Sequence, residues 1–364
     1  MINDNKKVFL ILSLCVALAG WFFCAYFIAV LASAAFFYMA YQVTQTPHGR
    51  LDCLAALSLN LLEFGVRIKP DKAMDFQLPL RLNLLYPLSS LLPNEPVEKT
   101  EDISLTGGEG DVPARVYWPN KTVDCPGELP VIVYFHGGGF AVGSVEIFDD
   151  LCCSLANATH SVVVSVEYRL APRFPFPAAI EDGYAAVQWV ANNAAQLGAD
   201  PAKLIIAGDS AGGTISAVVA LKALQENGPA IAGQILYYPL TDMSNPEYDS
   251  LVNFSDGYGL SKAMMEAFNE AYASKVEDLG QVYLSPLLAP SHSGLPPALV
   301  VTAGFDPLHD CGERYAKKLQ QDQVPVTYLD YKDTIHGFMS IRFFWQRRDA
   351  LRETGKFVDR LCQR

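Results

Sequence analysis

Gly208-Asp209-Ser210-Ala211-Gly212 reads G-x-S-x-G. The apolar run Leu204-Ile205-Ile206-Ala207 before it has the character of a buried strand, and Thr214 to Leu221 after it that of a helix. A serine on a sharp strand-to-helix turn is a nucleophile elbow. Gly208 and Gly212 let the chain turn tightly, so the hydroxyl of Ser210 stands clear above a sheet. Upstream, Val131-Ile132-Val133-Tyr134-Phe135 runs into His136-Gly137-Gly138-Gly139. A glycine run after a strand can offer backbone N–H groups to an oxygen that becomes negative during acyl transfer.

A serine hydroxyl is a poor nucleophile without a base, and an imidazole base needs a carboxylate to orient it. Of six histidines, His336 lies in Thr334-Ile335-His336-Gly337-Phe338, just after the last expected strand, Val326 to Asp330. A loop leaving the carboxyl end of a sheet is where a site residue belongs, and in this chain order the histidine comes last. The acid is expected after the preceding strand. Asp306 is the first candidate there, and Asp310, four residues on, competes with it but is better placed to cap the next helix. Asp333 is near His336 in sequence but comes from the wrong loop. Asp209 reads as a structural hydrogen-bonding group at the elbow.

These side chains need a scaffold. Strands are expected at 131–135, 162–166, 204–207, 234–238, 298–302 and 325–330. Helices are expected at 146–157, 178–197, 212–226, 261–274, 310–321 and 344–361. Such alternation predicts an α/β fold with a mostly parallel central sheet and helices on both faces. Ile103 to Leu105 and Val112 to Tyr117 read as an opening antiparallel hairpin. The stretch at about 245–290 is longer than a crossover needs and is expected to form a lid.

The 364 residues, 51% hydrophobic, suffice for one large α/β domain with added segments. A net charge of −12 without a basic stripe argues against nucleic acid as a partner. The eight cysteines have neither metal-type spacing nor the look of a disulfide framework, and Cys152-Cys153 read as small hydrophobes in a helix. No metal or organic cofactor is called for by the chemistry. Nothing in the sequence fixes the oligomeric state.

Val8 to Tyr41 carries no charged residue. As one helix it would be about 50 Å long, against a hydrocarbon core of about 30 Å. Residues 1–45 are therefore expected to be a membrane anchor in contact with lipid, either one tilted transmembrane helix or a helical hairpin turning near Gly20 to Phe23. The two arrangements put the rest of the chain on opposite sides. Residues 46–98 read as a linker and N-terminal cap segment, with Leu51, Leu54, Leu57, Leu61 and Leu62 on a helical stripe and a Leu80 to Leu92 part that lies on the membrane or caps the site. Residues 99–364 read as the catalytic domain.

The motifs together resemble the hormone-sensitive lipase family of α/β-hydrolases, over about residues 100–364. The match rests on His136-Gly137-Gly138-Gly139, Tyr168-Arg169-Leu170-Ala171-Pro172, Gly208 to Gly213, Ser285-Pro286-Leu287, Asp306-Pro307-Leu308 with Asp310, and His336-Gly337-Phe338. The resemblance implies a serine carboxylesterase acting on small-molecule esters of short to medium acyl chains. It implies a triad of Ser210, His336 and Asp306, and an oxyanion hole from the N–H groups of Gly138, Gly139 and Ala211, with Gly137 shaping the turn. Amide or lactone hydrolysis uses the same triad, and a non-catalytic ligand-binding protein on a degenerate hydrolase fold is the alternative from another class. Arg173 stands where the family usually has an acidic residue. The leader is similar to the anchor of the arylacetamide deacetylase branch. A related branch of plant receptors keeps the fold without the histidine, which is present here.

Overall fold

A computed structural model describes residues 44–65, 93–107, 110–120 and 128–363. The chain divides into two compact units, Met1–Leu57 and Ser58–Arg364. The apolar leader and the Leu80 to Leu92 stretch fall outside the described residues. Among those described, no helix is long and apolar enough to cross a membrane.

In the first unit, β1 (Gln45–Thr46) pairs antiparallel with β2 (Gly49–Arg50). The Asp52 carboxylate then accepts the N–H groups of Leu54 and Ala55 at 2.9 and 3.3 Å. That capping starts α1 (Cys53–Gly65), the helix expected from the leucine spacing.

The second unit is built on an eight-stranded sheet. In chain order its strands are β3 (Lys99–Gly107), β4 (Gly110–Trp118), β5 (Leu129–Phe135), β6 (Val162–Val166), β7 (Ala199–Asp209), β8 (Gly233–Tyr237), β9 (Ala298–Phe305) and β10 (Val326–Ile335). Across the sheet they run β10-β9-β8-β7-β5-β6-β4-β3. From β6 to β10 every pairing is parallel, while β3 and β4 form the antiparallel hairpin and β4 joins β6 antiparallel. This is the α/β-hydrolase architecture, with a mixed, mostly parallel sheet.

The central strands read as unbroken apolar runs because helices cover both faces. Val131 to Phe135, Leu204 to Ala207, Ile235 to Tyr237 and Leu299 to Val301 are all completely buried. The covering helices are α2 (Asp149–Thr159), α3 (Ala178–Asn193), α4 (Ala211–Gln225), α7 (His309–Gln321) and α8 (Trp345–Leu361). Cys152 and Cys153 are buried in α2, and burial pushes both thiols above the ordinary range, so they serve as small hydrophobes. Two further helices, α5 (Asp249–Asn253) and α6 (Lys262–Ala273), come from the long stretch between β8 and β9.

Register places the site. Phe135 is opposite Gly208, Asp209 is opposite Tyr237, and Phe305 is opposite Ile335. The loops leaving β5, β7, β8, β9 and β10 thus emerge side by side at the carboxyl end of the sheet. The last register needs an irregularity in β10 between Tyr331 and Ile335, which carries that strand past the expected end at 330. Gly304 permits it: a Cβ there would come within 2.3 Å of the Lys332 carbonyl oxygen.

Candidate active site

The serine elbow is built by two close approaches. A Cβ on Gly208 would lie 2.3 Å from the Gly212 backbone, and one on Gly212 would lie 1.9 Å from the Phe135 carbonyl oxygen. Only glycine fits either position, so α4 can start directly above β5. Between them Ser210 is held at φ 53° and ψ −119°, a conformation that L-residues rarely adopt. Its N–H donates to the Tyr237 carbonyl at 2.8 Å, which ties the turn to β8.

Asp306 and His336 leave adjacent strands at the paired positions Phe305 and Ile335. The His336 Nδ1 lies 2.7 Å from Asp306 Oδ2, and its Nε2 lies 2.9 Å from Ser210 Oγ. Asp306 is fully buried, and its Oδ1 accepts the Leu308 N–H at 2.8 Å. One carboxylate oxygen therefore orients the carboxylate and the other meets the imidazole. With Nδ1–H donating to the carboxylate, Nε2 is left to accept from the serine hydroxyl.

Asp310 and Asp333 lie elsewhere. The Asp310 carboxylate accepts the Ser250 N–H at 3.1 Å and faces His309 Nδ1 at 3.3 Å. It therefore holds α5 to the Asp306 loop, and the helix-capping role expected of it is not observed, since α7 has no side-chain cap. Asp333 accepts from the Gln346 amide at 3.2 Å.

Asp209 has the structural part expected of it. Its Oδ1 accepts from the Tyr134 hydroxyl at 2.6 Å and from the Gly137 N–H at 2.8 Å. A Cβ on Gly137 would come within 2.4 Å of Asp209 Oδ2. The elbow and the glycine loop are thus clamped together by one buried carboxylate. Burial raises its pKa to about 6, against the lowering effect of those two donors.

The glycine loop itself turns on Gly138 at φ 125° and Gly139 at φ 59°. The Gly138 carbonyl accepts from Ala141 and Val142 at 3.1 and 3.0 Å. The N–H groups of Gly138 and Gly139 donate to no protein acceptor among the described residues, and both glycines are half-buried. Ala211 follows Ser210 at the first position of α4, where helix N–H groups have no partner within the helix.

His136 is fully buried between the rings of Phe148 and Tyr168, with centroids at 5.5 and 4.3 Å. Burial lowers its pKa to about 4, so it is neutral at pH 7 and shapes the loop. The buried partner of Arg169 is Asp182, at 2.8 Å, while Arg173 is exposed with its guanidinium 5.1 Å from the Phe174 ring centroid. The unusual charge at 173 therefore touches neither the elbow nor the imidazole.

Sequence reasoning missed Phe268. A Cβ on Gly139 would fall 2.2 to 2.7 Å from three carbons of its ring, so this residue of α6 packs flat on the glycine loop. The spacing of Met264, Phe268 and Tyr272, four residues apart on one helix, was the available signal. Among the described residues, no group of three His, Cys, Asp or Glu side chains gathers as a metal site would.

A family model described as alpha/beta hydrolase fold matches residues 132–340. The chain is 42% identical over 255 residues to Esterase LipI of Mycobacterium tuberculosis, covering 68% of this chain and 78% of that one. It is 33% identical over 255 residues to an arylesterase of Saccharolobus solfataricus, covering 69% and 81%. Among solved structures it is similar to the hyperthermophilic esterase of the archaeon Pyrobaculum calidifontis, with a TM-score of 0.80 and 38% identity over 86% of this chain and 99% of that one.

Proposed function

This chain belongs to the hormone-sensitive-lipase-like carboxylesterase family of α/β-hydrolases, and from that premise we propose that Ser210, His336 and Asp306 are its catalytic triad. The protein is a carboxylic ester hydrolase acting on small-molecule esters. The observation that carries the triad is the unbroken chain of contacts from Asp306 Oδ2 through the imidazole to Ser210 Oγ, at 2.7 and 2.9 Å.

The steps follow from that geometry. His336 Nε2 takes the hydroxyl proton as Ser210 Oγ attacks the ester carbonyl carbon. Asp306 fixes the tautomer and stabilises the imidazolium. The carbonyl oxygen becomes an oxyanion held by the N–H groups of Gly138, Gly139 and Ala211, each worth about 3–4 kcal/mol. The imidazolium returns its proton to the alkoxy oxygen, the alcohol leaves, and an acyl-serine remains. Water, giving a proton to the same imidazole, then attacks the acyl carbon, and the imidazolium passes that proton to Ser210 Oγ as the acyl–oxygen bond breaks and the acid leaves. The substrates proposed are esters of short to medium acyl chains. The test is Ser210→Ala assayed on an activated acyl ester. Retention of most of the activity would rule the triad out.

The domain plan is proposed in the same terms: residues 1–45 an anchor, 46–98 a linker and cap segment, 99–364 the hydrolase with a lid at about 245–290. The charge-free run Val8 to Tyr41 supports the anchor, as either a single span or a hairpin. The contacts of α5 and α6 with the Asp306 and glycine loops support the lid.

A further inference from the structure

We propose that Phe268 sets the upper limit on the acyl group this enzyme accepts; the inference rests on the triad reading above. During attack the scissile carbon carries four substituents: Ser210 Oγ, the oxyanion, the alkoxy oxygen and the acyl chain. The alkoxy oxygen must lie beside His336 Nε2, which protonates it. The oxyanion must lie against the glycine loop. The acyl chain takes the remaining direction, away from His336 and, in this proposal, past the edge of the glycine loop. Phe268 stands on that side, with its ring packed on the α-carbon of Gly139 and part of its surface still open.

The helix that carries the ring is held in place, because both ends of its segment are tied down. One turn beyond Phe268, the Tyr272 ring stacks on Phe140 with centroids 4.0 Å apart and planes at 6°. The Tyr272 carbonyl accepts the Phe176 N–H at 2.9 Å. At the other end, the Ser250 hydroxyl donates to the Pro307 carbonyl at 2.8 Å, and its N–H donates to Asp310. Between them, Phe254 and Tyr258 pack on Phe305, the residue before Asp306, with centroids at 5.6 and 5.5 Å. The segment thus bridges the acid loop and the glycine loop, and it presents the Phe268 ring as a wall against Gly139. An aromatic wall beside the oxyanion site admits a short chain and excludes a long one by overlap.

The experiment compares kcat/KM for the 4-nitrophenyl esters of acetate, butyrate, hexanoate and octanoate in the full chain, in Phe268→Ala and in Phe268→Trp. Reactive serines are first counted with a fluorophosphonate, so that rates refer to folded sites. The octanoate-to-acetate ratio should rise by about tenfold or more in the alanine variant, as expected for added methylenes entering an apolar pocket, and fall in the tryptophan variant. A ratio that stays constant, or an equal loss on all four esters, overturns the proposal, because a purely structural role scales every ester alike. Should the alanine variant yield no titratable serine, the direction of change in the tryptophan variant decides alone. Wild-type chain that hydrolyses esters while Ser210 stays unlabelled would instead count against the triad.

Discussion

Ser210 sits in a backbone conformation that costs about 1–3 kcal/mol for a non-glycine residue, and its neighbours hold it there. Because the Ser210 hydroxyl is the group that faces His336 Nε2, Ser210→Ala should lower turnover of an activated ester by about a millionfold. The two loop aspartates separate by what they touch. Asp306→Asn inverts the hydrogen bond to His336 Nδ1 and should lower kcat by about ten-thousandfold, as a wrong tautomer does. Asp310→Asn weakens the contacts to Ser250 and His309, neither of which touches His336, and should cost about tenfold at most, the worth of one or two hydrogen bonds. Rates on one chromogenic ester compare the two directly, and the reverse ranking would reassign the acid. Asp209 gives a stability prediction. Its folded pKa of about 6 lies above the ordinary value of 3.8, so its contribution is fully present below about pH 4 and is lost as pH rises through 6. Relative to Asp209→Asn, the wild type should lose about 3 kcal/mol between pH 4 and pH 7, read from urea unfolding of both proteins across that range. The part of Asp209 at the elbow was legible from its place beside the serine. The clash that makes Gly212 irreplaceable was not, because the obstructing Phe135 carbonyl lies far away in sequence.

At the scale of elements, the site depends on neighbouring strands ending in step. The expected strands match β5 to β10 because each is an apolar run between turn residues, which periodicity reports well. What periodicity could not report was the irregularity after Tyr331, since a register shift is a property of two strands and not of one. His309 strengthens this junction. It starts α7, and its Nε2 reaches Asp330 of β10 at 3.3 Å while Nδ1 faces Asp310. The carboxylate of Asp330, first among its neighbours, raises the imidazole pKa to about 9 from 6.5. A raised folded pKa means stabilisation that is complete below pH 6.5 and disappears as pH rises through 9. His309→Gln should therefore be less stable than wild type by about 2 kcal/mol at pH 7, with the gap closing by about pH 10. Paired thermal melts across that range measure it, and a gap that does not depend on pH would show that the imidazolium contributes nothing. That the 245–290 stretch carries helices of its own was legible from its length, and the lid proposed there rests on α5 and α6. Its attachment points, Ser250, Phe268 and Tyr272, were hidden because their partners lie in other loops.

At the scale of the whole molecule, the chain joins an acidic hydrolase to a charge-free N-terminal run, and the two parts make separable predictions. Five of the loops at the carboxyl end of the sheet assemble the site within residues 128–363, and among the described residues the hydrogen bonds of Ser210, His336 and Asp306 run to one another and to Thr214, Tyr237, Leu308 and His309. Removing residues 1–45 should therefore leave kcat/KM on a water-soluble acetate ester within about twofold, since the contacts of the proposed triad are kept. The same deletion should abolish membrane association if Val8 to Tyr41 is the anchor, because burying an apolar run of that length in lipid outweighs any contribution from a surface with a net charge of −12, which anionic headgroups repel. Flotation of expressed full-length and truncated chains on a density gradient, before and after an alkaline carbonate wash, separates the cases. The full chain should float with membranes after the wash and the truncated chain should stay at the bottom. Release of the full chain by carbonate would mean that the run does not enter the hydrocarbon core, and would confine its contact with lipid to the surface.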